Sequence, residues 1–257
     1  MIVTVGCVAG VMLFLQSLAK MNVRWMNVPV EVRRDLLRAL QREGARGEGG
    51  AAQATAIICH SLGKLNCKWA DMQLDLEGAD CDSYEDGRDG GRDAGGVHYV
   101  MQRLLHENID RMDCQNLANT LSGIRDMDAL LLQPSVSIKN ELVPLSAQTV
   151  EALLSAVVCK LSGESGKGSS EDGEGFSVDG LVAVCLGIAY LDSVRLSRGG
   201  LGWRAAPREL LLRAVSRHIK NSDRDLSAMQ SAQLRLGLER LGWFHYLGAK
   251  EKSALLL

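Results

Sequence analysis

Two octapeptides constrain this chain more than any other feature. LAKMNVRW (18–25) and LGKLNCKW (62–69) place Leu, Lys, Asn, a basic residue and Trp in one order, 44 residues apart. A match of this kind marks an internal repeat, and a repeat of this size is a supersecondary unit that buries its apolar face against the next copy. Relaxing the comparison finds three more copies. QNLANTLSGIRDMD (115–128) aligns without a gap on QATAIICHSLGKLN (53–66), and DGLVAVCLGIAYLD and MQSAQLRLGLERLG continue the series. One column through the five copies reads Ser17, Ser61, Gly123, Gly187, Gly237, and its neighbour reads Leu18, Leu62, Ile124, Ile188, Leu238. A Gly inside an apolar helical run gives up roughly 1 kcal/mol of helix propensity, so these columns predict a second helix packed at short range, with the aliphatic column filling the groove.

Between the copies lie second amphipathic segments: PVEVRRDLLRALQRE, VHYVMQRLLHENI, LSAQTVEALLSAVVCKL and APRELLLRAVSRHIK. Each carries Leu or Val at three- and four-residue spacing, and Pro29 and Pro207 stand where a first helical turn tolerates them. The unit is therefore a helix pair. Aromatics make up only 4% of the chain, which disfavours a sheet built on aromatic and β-branched side chains. The expectation is an all-α chain: a right-handed α-solenoid with a period of roughly 38 to 40 residues. Its helix-pair units fall around 1–46, 51–74, 97–130, 145–192 and 205–247. The segments 75–96 and 162–176, rich in Gly, Ser and acids, read as disordered insertions.

The apolar opening, MIVTVGCVAGVMLFLQSLAK, lacks a basic n-region, and its uncharged run falls short of the ~18 residues that span a bilayer. Val11 to Met21 also occupies the columns of Thr55 to Leu65, so this stretch is expected to be a core helix and no membrane is expected as a partner. A repeat already under way at Met1, and GWFHYLGAKEKSALLL resembling the start of another, are expected of a fragment of a longer array.

Charge is segregated although the net value is only -2. From Lys20 to Lys68 there are nine basic and four acidic residues, from Asp71 to Asp93 nine acids and two arginines, and from Ser193 to Leu257 twelve basic and five acidic residues. Two basic blocks flanking acidic spacers can offer a polyanion a surface. The seven cysteines include no CxxC pair and several sit in apolar helical runs. That usage fits free thiols in a reducing compartment and no metal site.

QNLANTLSGIRDM resembles the Q-x-x-A-N-x-L-x-A-L-x-K-(L/M) helix of the octotricopeptide repeat proteins, and of related organellar proteins that carry a RAP domain. QATAIICHSLGKLNCKW and LFLQSLAKMNVRW resemble the same helix with degraded starts. Trp25 with Pro29, and Trp69, stand near that family's interhelix turn, although its run of prolines is missing. The likeness covers most of the chain outside the acidic insertions, is strongest in the first three copies, and includes no RAP domain. It implies an RNA-binding α-solenoid in mitochondria or chloroplasts, acting on the stability, processing or translation of an organellar transcript or rRNA, without cofactor.

Helical repeat proteins read single-stranded RNA with a few polar side chains per repeat, while basic groups neutralise phosphates. The column Lys20, Lys64, Asp126, Tyr190, Arg240 fits a phosphate-and-base stripe, and a solvent-facing column would also hold Lys and Arg. Four residues earlier stand Gln16, His60, Ser122, Leu186 and Leu236, which would confine base reading to the first repeats. His60 is equally readable as an ordinary surface or core histidine. Arg34, Arg38 and Arg42 form an i, i+4, i+8 stripe that Glu31, Asp35 and Glu43 could partly pair. Arg213, Arg217 and Lys220 repeat that pattern, and Lys68 completes the candidate set. Gln115 and Asn119 are expected to bond a helix terminus or loop, and Trp25 and Trp69 to act as wedges between helix pairs.

Nothing in the sequence points to catalysis. In LSGESGKGSS the Gly-Lys is followed by Gly168 where a phosphate loop needs Ser or Thr, and the sequence holds no HExxH or GxSxG. A protein-interaction scaffold is the competing reading, since helix pairs can display the same kind of surface to another protein.

Overall fold

The computed structural model describes residues 8–46, 52–69, 71–72, 97–127, 145–162, 175–197, 205–221 and 226–256. Regular structure among them is entirely helical. The elements are α1 (Val8–Lys20), α2 (Val30–Arg46), α3 (Ala52–Lys64), α4 (Val97–Asn108), α5 (Cys114–Met127), α6 (Ala147–Ser162), α7 (Val178–Ser197), α8 (Ala205–Asn221), α9 (Ala228–Arg240) and α10 (Ala249–Ala254). Short 3-10 turns at Trp25–Asn27, Ile109–Arg111 and Phe244–Tyr246 follow α1, α4 and α9. No described helix is long and apolar enough to cross a membrane. The insertion expected at 75–96 lies outside the described residues, as does 163–174. The proposed end of the second insertion needs correction, because Phe176 is buried in the core and its carbonyl lies 2.6 Å from His218 Nε2.

Packing follows chain order. The helices carrying the small-residue column touch in succession, α1 on α3, α3 on α5, α5 on α7 and α7 on α9, while α2, α4, α6, α8 and α10 touch one another in the same sequence. One continuous core runs between these two sets, from Val11 and Leu15 to Leu255. The first helix thus belongs to the core, since Val11 and Leu15 are fully buried on its inner face. Helix α7 differs from its neighbours. It is apolar all round and is buried on nearly every side from Leu181 to Leu191, as expected of a helix flanked by α5 and α9 and covered by α6 and α8.

The small column sets the spacing of the first set of helices. A Cβ on Gly123 would overlap the Cys59 carbonyl group and lie 2.6 Å from the His60 backbone nitrogen. One on Gly187 would lie 2.6 Å from Leu121 Cβ, and one on Gly237 3.0 Å from Cys185 Cβ. Cys59, Leu121 and Cys185 each stand two residues before the small residue of their own helix, so the same register recurs at three successive contacts. Ser61 is buried like these glycines. Ser17 is exposed, and its hydroxyl donates to Leu13 O at 2.8 Å.

The repeated octapeptide forms a helix stop. After α1, Asn22 N donates to Ala19 O and Val23 N to Leu18 O; after α3, Asn66 N donates to Gly63 O and Cys67 N to Leu62 O. After α9, Gly242 N donates to Glu239 O and Trp243 N to Leu238 O. This is the paired closure of a Schellman motif, which needs a left-handed residue just past the helix. Asn22, Asn66 and Gly242 supply it at φ 58°, 56° and 67°. The chain then turns Trp25 inward, where it is fully buried and its backbone N–H donates to Leu65 O at 2.6 Å, tying one helix stop to the next. Trp69 is likewise buried, so both tryptophans pack as wedges and neither is available to stack on a base. Asn66→Ala is expected to cost about 1 kcal/mol, the penalty of a Cβ in the left-handed region, and Asn66→Gly to be neutral or stabilising. Urea midpoints of the two variants check this.

Five described cysteines, Cys59, Cys67, Cys114, Cys159 and Cys185, are free thiols. Burial pushes Cys59 and Cys185 up to about 12 from 9.0. Between those values the folded chain keeps protons that the unfolded chain releases. Their contribution is therefore complete below pH 9 and is lost as pH rises towards 12, by up to about 1.4 kcal/mol per thiol per pH unit. Urea titrations at pH 8 and pH 10 should show a larger drop for the native sequence than for Cys59→Ala/Cys185→Ala; equal drops would contradict it.

Candidate nucleic-acid interface

The expected stripe begins at helix C-termini. Lys20, Lys64 and Arg240 are the last residues of α1, α3 and α9, all exposed and all at the same repeat position. A cation there also complements the partial negative charge of the helix end. Two members of the column differ. Asp126 accepts from Arg125 Nε and Nη2 at 2.8 and 2.7 Å. Tyr190 is only 7% exposed, because α7 is enclosed on nearly all sides, so its ring cannot face a base. The cationic stripe is thus interrupted at the third and fourth of its five positions.

Lys68 is corrected as well. Its ammonium reaches across 58 residues of sequence to donate to Asp126 O at 2.7 Å, capping the C-terminal turn of α5. It joins two helix stops and is committed to that contact. Gln115 and Asn119 bond each other, Nε2 to Oδ1 at 3.0 Å, rather than a helix terminus or loop.

Four residues before the cationic column, Gln16, His60 and Ser122 are half-buried, Leu186 is buried and Leu236 is 41% exposed. His60 lies beside Lys64 and Asp126. Burial and then the Lys64 charge hold its pKa below 6.5, against the opposing pull of Asp126, so the ring is neutral at pH 7. Its Nδ1 is buried and has no hydrogen-bond partner among the described residues. With Nδ1 buried, the ring has only Nε2 to offer a base edge, and a neutral imidazole adds no charge for a phosphate.

On α2, Arg38 and Arg42 are exposed and Arg34 is half-buried. Arg38 approaches Asp35 at only 3.9 Å, with both side chains more than half exposed, a pair worth little in water. Arg42 Nε donates to Arg38 O at 3.3 Å, which lays the side chain along the helix.

Structure brings forward a second basic surface. Arg208, Arg213, Arg217 and Lys220 of α8 line an open groove of about 680 Å³ with Tyr246 and Gly248. The Arg208 guanidinium lies over the Tyr246 ring, 4.1 Å from its centroid. Tyr246 was missed in the sequence. Arg213, Arg217 and Lys220 were already legible as a repeat of the α2 pattern, since LLRALQR (36–42), LLSAVVC (153–159) and LLRAVSR (211–217) are one motif. Its two leading leucines and its fifth residue face the core, and its third and seventh face out. Arg38, Ser155 and Arg213 are accordingly exposed, as are Arg42, Cys159 and Arg217. No group of described residues has the makings of a metal site.

Comparison with protein-family models, curated proteins and solved structures gives no match.

Proposed function

We propose that this chain is a right-handed α-solenoid of the octotricopeptide-repeat kind that binds single-stranded RNA without catalysing a reaction, in a mitochondrion or chloroplast. One observation carries the reading: Lys20 and Lys64 stand exposed at one repeat position on α1 and α3, which touch each other, and Arg240 stands exposed at the same position on α9. Two cations on neighbouring helices are what adjacent phosphates of one strand fit. Gln16 and the neutral His60 beside them supply polar contacts for bases, and Arg34, Arg38 and Arg42 extend the positive field.

Fluorescence anisotropy with a labelled single-stranded RNA should show affinity falling by at least about tenfold between 50 and 200 mM salt, since each phosphate contact to a single strand contributes roughly 0.7 to the log-log slope. Lys20→Glu/Lys64→Glu should weaken every RNA sequence tested. Absence of binding at 50 mM salt would reject the reading.

A protein-interaction scaffold is favoured by a separate observation. Leu13, Met21 and Met26 are 56%, 64% and 63% exposed in and just after α1, an apolar group that RNA phosphates would not use. A partner held there should stay bound across the same salt range.

A further inference from the structure

The groove along α8 is the second place where this molecule gathers charge. Residues 208, 212, 216 and 220 form one i, i+4 row and 209, 213 and 217 the next, so a single helix face lines about 18 Å of groove at 1.5 Å per residue. Four cations stand on it against few carboxylates. Glu209 meets Arg213 at 3.6 Å, but those side chains are 58% and 74% exposed and water screens the pair. Glu251 holds Lys220 at 3.1 Å, which anchors α8 to α10. Among the described residues no carboxylate pairs with Arg217 or with Arg208. Tyr246 fixes the Arg208 guanidinium by cation–π stacking, so its donor fork is ordered before any ligand arrives.

We infer that this groove is a further RNA contact, in which Arg208, Arg213 and Arg217 take consecutive phosphates of one strand and Tyr246 positions Arg208 for them. This rests on the RNA reading above and extends it to α8, at the opposite end of the chain from Lys20 and Lys64. Guanidinium groups suit it better than ammonium groups, because their planar fork matches two phosphate oxygens at once. The same motif positions on α2, Arg38 and Arg42, are basic, while those on α6 are Ser155 and Cys159. The charge therefore belongs to particular repeats and is not a general property of exposed positions in this motif.

The test compares the native chain, Arg213→Glu/Arg217→Glu and Tyr246→Leu in RNA titrations from 50 to 200 mM salt, with helicity by circular dichroism as the folding control. The residues changed are exposed, so folding should survive. The double variant is expected to lose at least tenfold in affinity and to lower the salt slope by about 1.4, two phosphates at roughly 0.7 each. Tyr246→Leu should lose several-fold at unchanged slope, because Arg208 keeps its charge and loses only its order. Native chain that binds RNA, with affinity and slope unmoved in the double variant, would overturn the groove and leave the RNA reading standing. Native chain that binds no RNA would overturn both. The charge-conserving variant Arg213→Lys/Arg217→Lys is expected to keep the native slope but only part of the affinity, and full native affinity would show that the fork geometry is irrelevant and sink that part of the inference.

Discussion

Gly123→Ala is expected to lower stability by about 2 kcal/mol or more, although alanine is the better helix former by roughly 1 kcal/mol. The sign reverses because the added methyl would meet the Cys59 carbonyl and the His60 nitrogen, which are backbone atoms of α3. A side chain could rotate away. A helix backbone can move only as a whole, and α3 is held on its other side by α1. The penalty should then fall along the column: Gly187→Ala meets Leu121 Cβ at 2.6 Å, Gly237→Ala meets Cys185 Cβ at 3.0 Å, and the exposed Ser17→Ala should stay within about 0.5 kcal/mol of the native chain. Urea midpoints for the four variants give the order directly. A midpoint raised by Gly123→Ala would refute the close approach of α3 and α5 on which the arrangement of the first helix set depends.

Trp25→Ala should cost more still, about 3 to 5 kcal/mol, as expected for removing a fully buried indole from a packed site. In a chain of this size that corresponds to a fall in melting temperature of between about 6 and 20 °C. Its position explains the magnitude. The indole is fully buried just past the helix stop of α1, and the Trp25 N–H to Leu65 O bond ties that turn to the following stop, so its loss would be felt by both units. Trp25→Phe should recover part of the loss. A melting temperature within a degree or two of the native value for Trp25→Ala would mean that the turn is not a wedge.

How much of this was legible in the residues differs from feature to feature. The octapeptides were read only as an internal repeat, yet the two helix stops they form lie within reach of the sequence, because a Schellman closure is local: it needs a left-handed Asn or Gly and apolar residues at fixed offsets, all within one short stretch. The small column was legible for a related reason. Gly inside a helix is locally unfavourable, so its recurrence at one position points to a contact outside the helix. Tyr190 shows where the pattern misled. Its column position matches Lys20, but the uncharged run from Gly180 to Leu191 is apolar on all sides, and that signal of full burial outweighs the column. Lys68 could not have been removed from the candidate set by inspection, since its partner is the carbonyl of Asp126, 58 residues away. Tyr246 was hidden for the same reason: only the approach of the turn after α9 to α8 places its ring under Arg208.

Taken alone, the sequence determined that the chain is helical, where several helices stop, and which face of each carries the apolar and the small residues. These follow from periodicity, capping and propensity, which act over a few residues. Tertiary structure decided which members of each repeated column are covered and which are open, as Ser17 against Gly123 and Tyr190 against Lys64 show. Exposure depends on neighbours in space, and identical positions in a repeat have different neighbours according to where in the row they stand.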